Sequence, residues 1–116
     1  MALADFVPLV QTTTVTLLSG QTVSPAVDLF GCSLCGLIFP AAFTGATVTF
    51  QVSPDNVTYY ALNDSANAAI SLTVTVSKAY SFSNTVFRGF RFIKIVSASS
   101  EGADRIITIQ ALPSKF

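Results

Sequence analysis

Thr47-Val48-Thr49-Phe50-Gln51-Val52 decides how this chain folds. Every second position holds a valine or phenylalanine, and between them stand only hydroxyl and amide side chains. That period of two, carried on β-branched and aromatic residues, marks a strand with one face in a core and the other in water. The alternation recurs in Thr14-Val15-Thr16-Leu17 and in Ile70-Ser71-Leu72-Thr73-Val74-Thr75-Val76. It returns in Phe90-Arg91-Phe92-Ile93-Lys94-Ile95-Val96 and Arg105-Ile106-Ile107-Thr108-Ile109-Gln110-Ala111. Residues 34–39 and 57–62 are more continuously apolar, which predicts strands buried on both faces. Shorter pieces at 79–82 and 23–29 bring the expected total to about eight.

Between these runs lies turn chemistry: Ser19-Gly20-Gln21, Ser53-Pro54-Asp55-Asn56, Asn63-Asp64-Ser65, Ser83-Asn84 and residues 97–102. The best helix candidate, 64–69, is too short to organise a fold. Strands at roughly ten-residue spacing without long helices predict an all-β single domain, an antiparallel β-sandwich or jelly roll, over 14–116. Residues 1–13 precede it as an extended arm or edge strand. Phe6-Val7-Pro8-Leu9-Val10 is apolar and stiffened by proline. It reads either as an edge strand closing the core or as an arm lying on a neighbour.

Composition sets the functional class. Hydrophobic residues make up 51% of the 116, charged residues 10%, and net charge is zero. Mean hydropathy is +0.62. A soluble domain is ordinarily about 25% charged, so this surface lacks the usual means of staying dispersed. A membrane span does not explain it, because the longest apolar stretch, 34–43, is interrupted by Pro40 and falls short of the roughly 18 residues required. Burial against partners does, and the chain reads as a subunit of an assembly. The 26 serines and threonines agree with this, since threonine-faced strands lack the lysines that keep sheet edges apart.

Met1-Ala2-Leu3-Ala4-Asp5 shows neither the basic nor the long apolar region of a secretory signal. The expectation is folding in a cytoplasm, with both cysteines as thiols and the Asn56-Val57-Thr58 and Asn63-Asp64-Ser65 sequons unused. Every basic residue lies at or beyond Lys78, whereas Asp5, Asp28, Asp55 and Asp64 precede it. That asymmetry suits a complementary subunit contact, or a fold that interleaves the two halves. Six basic residues balanced by six acids make no nucleic-acid footprint.

Chemistry is scarce. With no histidine there is no Ser-His-Asp or Cys-His constellation and no imidazole for zinc. Five aspartates and Glu101 sit in or beside turns, with no apolar pocket evident to raise a carboxyl pKa. Cys32-Ser33-Leu34-Cys35 opens a strand rather than a helix, so its thiols are expected on opposite faces as small buried hydrophobes. Asp55-Asn56, Asn63-Asp64 and Asp104 read as turn formers rather than calcium ligands. Phe50, Phe90 and Phe92 are expected to point inward. No catalytic residue, metal or cofactor is expected.

Two resemblances add to this reading. Val48-Thr49-Phe50-Gln51-Val52-Ser53-Pro54-Asp55-Asn56-Val57-Thr58-Tyr59-Tyr60 resembles the hairpin of galactose-binding-like (discoidin-type) jelly rolls, and Phe90-Arg91-Phe92-Ile93-Lys94-Ile95 resembles their basic-aromatic strand. The glycine after Asp55 and the tryptophan usual there are missing. Over residues 14–113, the order of Ser19-Gly20-Gln21-Thr22-Val23, Leu34-Cys35-Gly36-Leu37-Ile38-Phe39-Pro40-Ala41-Ala42-Phe43 and the Phe-Gln-Val-Ser-Pro-Asp hairpin is similar to small virion proteins of tailed bacteriophages. That resemblance implies a capsid cement or decoration subunit on the outside of the head, made in the host cytoplasm. Its implied partners are itself, as a homotrimer, and the major capsid protein, without nucleic acid or membrane. The expected interface is Phe6, Val7 and Leu9 on a neighbour, with Arg88, Arg91 and Lys94 meeting acidic surface on the shell. The alternative is a carbohydrate-binding module of a tail or fibre, using loops 55–60 and 63–67.

Overall fold

The computed structural model describes residues 10–83, 85–87 and 89–113. Nine strands run through them: β1 Gln11–Leu17, β2 Val27–Asp28, β3 Cys32–Ile38, β4 Thr47–Ser53, β5 Tyr60–Ala61, β6 Ser71–Thr73, β7 Ala79–Ser81, β8 Phe92–Ser97 and β9 Arg105–Pro113. No helix occurs among the described residues. The strands form two antiparallel sheets, a first of order β1-β9-β3-β7 and a second of order β2-β8-β4-β5, with β6 also on β4.

β5 and β6 lie along the same edge of β4, opposite Gln51–Val52 and Thr47–Thr49 respectively. They are one interrupted strand. Between them residues 63–69 loop out, closed by the Asn63–Ala69 bridge and by Asp64, whose carboxylate accepts the amides of Ala66 and Ala68. Counted this way there are eight strands, and the chain changes sheet at every connection except the β4–β5 hairpin. That connectivity is a jelly roll.

The alternation seen in the sequence sets the faces. Val48, Phe50 and Val52 of β4 point inward with Ile93 and Ile95 of β8, against Ile107, Ile109 and Leu17 from the first sheet. Phe50, Phe82 and Phe87 pack edge-to-face, with centroids 5.0–5.9 Å apart. β3 is paired on both edges, by β9 and β7, but it is not buried on both faces as expected: Leu34 and Leu37 are buried in the core whereas Ile38 is exposed.

Several expectations are corrected. The sandwich begins at Gln11 rather than at residue 14, so residues 11–13 are part of an edge strand, one of the two forms expected for 1–13, and residues 1–9 lie outside the described residues. In 57–62 only Tyr60 and Ala61 form a strand, and both are exposed, because β5 is the sheet's outer edge. The run 70–76 shortens to Ser71–Thr73 for the same reason. β8 begins at Phe92 with Ile93, Ile95 and Ser97 inward, so Phe92 faces outward, whereas Phe90, ahead of the strand, packs against the core as expected. Cys35 sits at a bulge between Leu34 and Gly36, which breaks the strict alternation assumed for the two thiols. Both cysteines are free and half-buried rather than fully buried, and the Cys35 thiol donates to the Gln110 carbonyl at 3.4 Å.

Candidate functional site

The two outer faces of the sandwich differ in charge. In the four strands of the first sheet the only charged residue is Arg105, which is turned toward Glu101. The outward residues are instead Thr14, Thr16, Ile106, Thr108, Gln110 and Ile38, paired across the sheet by register. Ile106 is 58% exposed there. A shallow, largely apolar hollow of about 360 Å³ runs over Gly36, Ile38, Ala79 and Gln110.

The second sheet carries the charge. Asp28 of β2 pairs in register with Phe92 of β8, which brings Arg91 beside it across 63 residues of chain. The guanidinium is held at both ends: Nε and Nη2 donate to the two Asp28 oxygens at 2.9 Å. It also lies over two rings, 5.0 Å from the Phe92 centroid and 5.5 Å from that of Phe30. The Arg91 hydrogen bond, with the Phe30 amide and the Arg91 charge, outweighs burial and lowers the Asp28 carboxyl pKa. Two positions along β8, the Lys94 ammonium sits 4.2 Å over the Tyr59 ring. Tyr59 donates a hydroxyl hydrogen bond to Asn56. Burial raises the Tyr59 pKa first, and the Asp55 and Asp28 charges add to it.

Phe30 is the least expected member of this group. Its ring is 77% exposed and its backbone is left-handed at φ +51°, a conformation rare for a bulky residue. The turn imposes it: the Phe30 amide donates to Asp28, the Cys32 amide to the Leu29 carbonyl, and Gly31 follows at φ +80°. Hollows of about 410 and 550 Å³ flank the ring. Asp28-Leu29-Phe30-Gly31 carries the Asp and Gly of a turn, so the bend was legible in sequence, though Arg91 as partner was not.

Arg91 and Lys94 are thus brought to one side of the molecule. The Arg91 charge is already met within the chain by Asp28, which leaves less of it for an acidic shell surface. Phe6, Val7, Leu9 and Arg88 lie outside the described residues. The loops of the glycan alternative use their polar groups on themselves. Asp55 Oδ1 accepts the amides of Val57 and Thr58 and the Ser53 hydroxyl, and these bonds lower its pKa. Asn63 donates to Asn67 at 3.0 Å. Asp104 accepts the Ser19 amide at 2.8 Å, a bond that joins two loops 85 residues apart rather than the local turn bond expected of it. No three His, Cys, Asp or Glu among the described residues are grouped to hold a metal ion.

Glu101 lies in the loop before β9, beside a turn as expected, and is the one acid among the described residues that is fully buried. Its side chain is wholly buried and accepts four hydrogen bonds. They come from the Thr44 amide and hydroxyl, the Gly45 amide and Arg105 Nε, all at 2.9–3.0 Å. Burial pushes its pKa up, but these donors outweigh burial and hold it below the ordinary value. Its main-chain carbonyl accepts the Gly20 amide, so one residue ties three loops at one end of the sandwich. A charged group with its donors satisfied in this way is a structural latch.

No protein-family model matches the sequence, and no curated protein matches it significantly. Among solved structures the fold is shared with the SPBc2 prophage-derived protein YomS, at 14% identity over 89% of this chain and 95% of that one, with a TM-score of 0.55. A chain from Bacillus endospore appendages, described as disulfide-linked pili, aligns at 16% identity over 93% of this chain and 90% of that one, with a TM-score of 0.44. The Yersinia pseudotuberculosis-derived mitogen aligns at 14% identity over 95% and 90%, with a TM-score of 0.45. What the first establishes is the fold.

Proposed function

We propose that the chain is a non-enzymatic structural subunit of a phage particle, a decoration protein that stabilises the head by bridging major capsid proteins. The observation that carries this reading is the outer face of the β1-β9-β3-β7 sheet, four strands wide and without an outward charge. Such a face is poorly suited to permanent exposure and well suited to lying against another protein. The low charge of the whole chain and the fold shared with a prophage-derived protein support the same reading. The mechanism is contact alone. Apolar area buried across a joint contributes about 25 cal/mol per Å² and raises the barrier to capsomer separation without a chemical step.

The charged belt of Asp28, Arg91 and Lys94 then faces away from the shell. Cosedimentation of the purified chain with heads of the encoding phage tests this. Thr108→Lys with Gln110→Lys is expected to weaken binding at least about tenfold, because two charges enter an uncharged contact. Lys94→Glu is expected to leave it unchanged. The reverse pattern would move the docking surface to the belt, and absence of binding by the parent chain would remove the reading. Deletion of residues 1–9 tests whether Phe6, Val7 and Leu9 contribute.

A further inference from the structure

Val10 does not extend strand β1. The register of that strand ends at Gln11↔Ala111, and one further step would set Val10 against Leu112 of β9. Instead Val10 lines the hollow of about 360 Å³ on the outer face of the first sheet, together with Gly36 and Ile38 of β3 and Ala79 and Ser81 of β7. These strands stand second and third from β1 in the sheet order, about 10 and 14 Å away at the usual strand spacing. At residue 10 the chain is therefore already over the sheet face, and half of the Val10 surface is bare there.

The floor of the hollow is a missing side chain. Gly36 pairs with Gln110 and faces outward with it. A Cβ on Gly36 would stand 3.4 Å from Gln110 Cβ and 3.4 Å from the Tyr80 carbonyl oxygen. The Gln110 amide oxygen accepts the Thr12 hydroxyl at 2.7 Å, which turns the polar end of that side chain toward β1 and leaves its aliphatic stem against the hollow. Among the described residues, no charged side chain lines it.

Phe6-Val7-Pro8-Leu9 directly precedes Val10 and lies outside the described residues. We propose that this hollow is the seat of that segment of the same chain. The reach is sufficient, since four extended residues span up to about 14 Å, enough to carry the chain from Val10 across to β7. The chemistry matches as well. The segment has no charge, Pro8 brings no N–H to be left bare on an apolar floor, and it keeps Val7 extended. Covalent connection decides whose segment it is. One wall of the hollow is this chain's own Val10, and a short tether gives the attached segment an effective concentration of millimolar order, which a second chain in dilute solution does not match. The segment then lies on its own sheet rather than on the neighbour expected from the sequence. Thr14, Thr16 and Ile106 lie outside the hollow and keep their part of the face for a partner. The proposal goes beyond the decoration reading and does not rest on it, because the isolated chain tests it.

Photocrosslinking of the full chain carrying Phe6→p-benzoylphenylalanine is the test. Equal amounts of isotope-labelled and unlabelled chain are mixed before irradiation, and the joined peptides are mapped by mass spectrometry. Crosslinks are expected to peptides containing residues 36–38 or 79–81, with both joined peptides carrying the same label. Gly36→Val fills the hollow from a strand that favours β-branched residues. It is expected to lower the yield of that crosslink at least about tenfold, as the loss of one buried apolar side chain implies. Ala79→Lys, at an exposed position on the rim, is expected to act the same way and serves if Gly36→Val does not fold. An unchanged circular dichroism spectrum identifies the folded variants. No crosslink to these peptides, mixed-label crosslinks in place of same-label ones, or a folded variant that keeps the full yield overturns the proposal.

Discussion

Arg105 Nε lies 2.9 Å from a Glu101 oxygen, and the carboxylate it meets is wholly buried while the arginine side chain keeps 16% exposure. The pair is local in sequence, but its work is long-range. Glu101 also holds Thr44 and Gly45, 57 and 56 residues away, and so fixes the loop before β4 to the loop before β9. Removing one partner of such a buried set leaves the other donors without an acceptor. Glu101→Ala is expected to cost about 3–5 kcal/mol, and Glu101→Gln about 1.5–3 kcal/mol. Urea unfolding of both variants checks the order.

The same group makes stability acid-sensitive. Its carboxyl pKa is lowered in the folded state, so the unfolded chain takes up the proton first. The stabilisation is therefore complete above the ordinary glutamate pKa, about 4.3, and is lost as pH falls through the folded value. Asp28 and Asp55 act in the same direction, through the Arg91 bond and the Val57 amide respectively. Thermal unfolding across this range is expected to fall less steeply with acid in Glu101→Gln than in the parent. Equal slopes would show that Glu101 is not the group that titrates.

Gly45 is required by close approach rather than by backbone freedom. A Cβ there would stand 2.3 Å from Ser97 Oγ and 2.9 Å from the Phe43 ring. Gly45→Ala is expected to destabilise by about 1–3 kcal/mol through overpacking. Ser97→Ala in the same chain removes the nearest clash, so the double variant is expected to lose less than the sum of the two singles. Strict additivity in a double-mutant cycle would contradict this.

The Phe30 turn makes a prediction that hydrophobicity alone would reverse. The ring is largely exposed and the backbone is left-handed, so what matters at this position is tolerance of positive φ. Asparagine tolerates it and a β-branched residue does not. Phe30→Asn is expected to be more stable than Phe30→Val by about 1–2 kcal/mol, as measured by their unfolding midpoints.

The strand faces and the fold class were legible because period-two alternation reports burial directly, as in Val48, Phe50 and Val52. Alternation fails where tertiary position rather than local pattern decides. Tyr60 is apolar enough for a core strand but lies on an outer edge, and Phe92 faces outward because β8 starts at that residue. Cys35 defied the pattern through a bulge, which adds a residue without changing the local composition. Pairings across the chain, such as Asp28 with Arg91, depend on register and could not be read from a linear sequence. The Glu101 to Arg105 spacing was visible, but a loop rich in Ser, Gly and Asp gave no sign of burial.

The most direct test of the proposed decoration role is quantitative mass spectrometry of gradient-purified phage particles produced from the genome that carries the chain's coding sequence. A decoration subunit is expected there in a simple whole-number ratio to the major capsid protein. Presence of the chain in the infected-cell lysate with its absence from the purified particles would contradict the account.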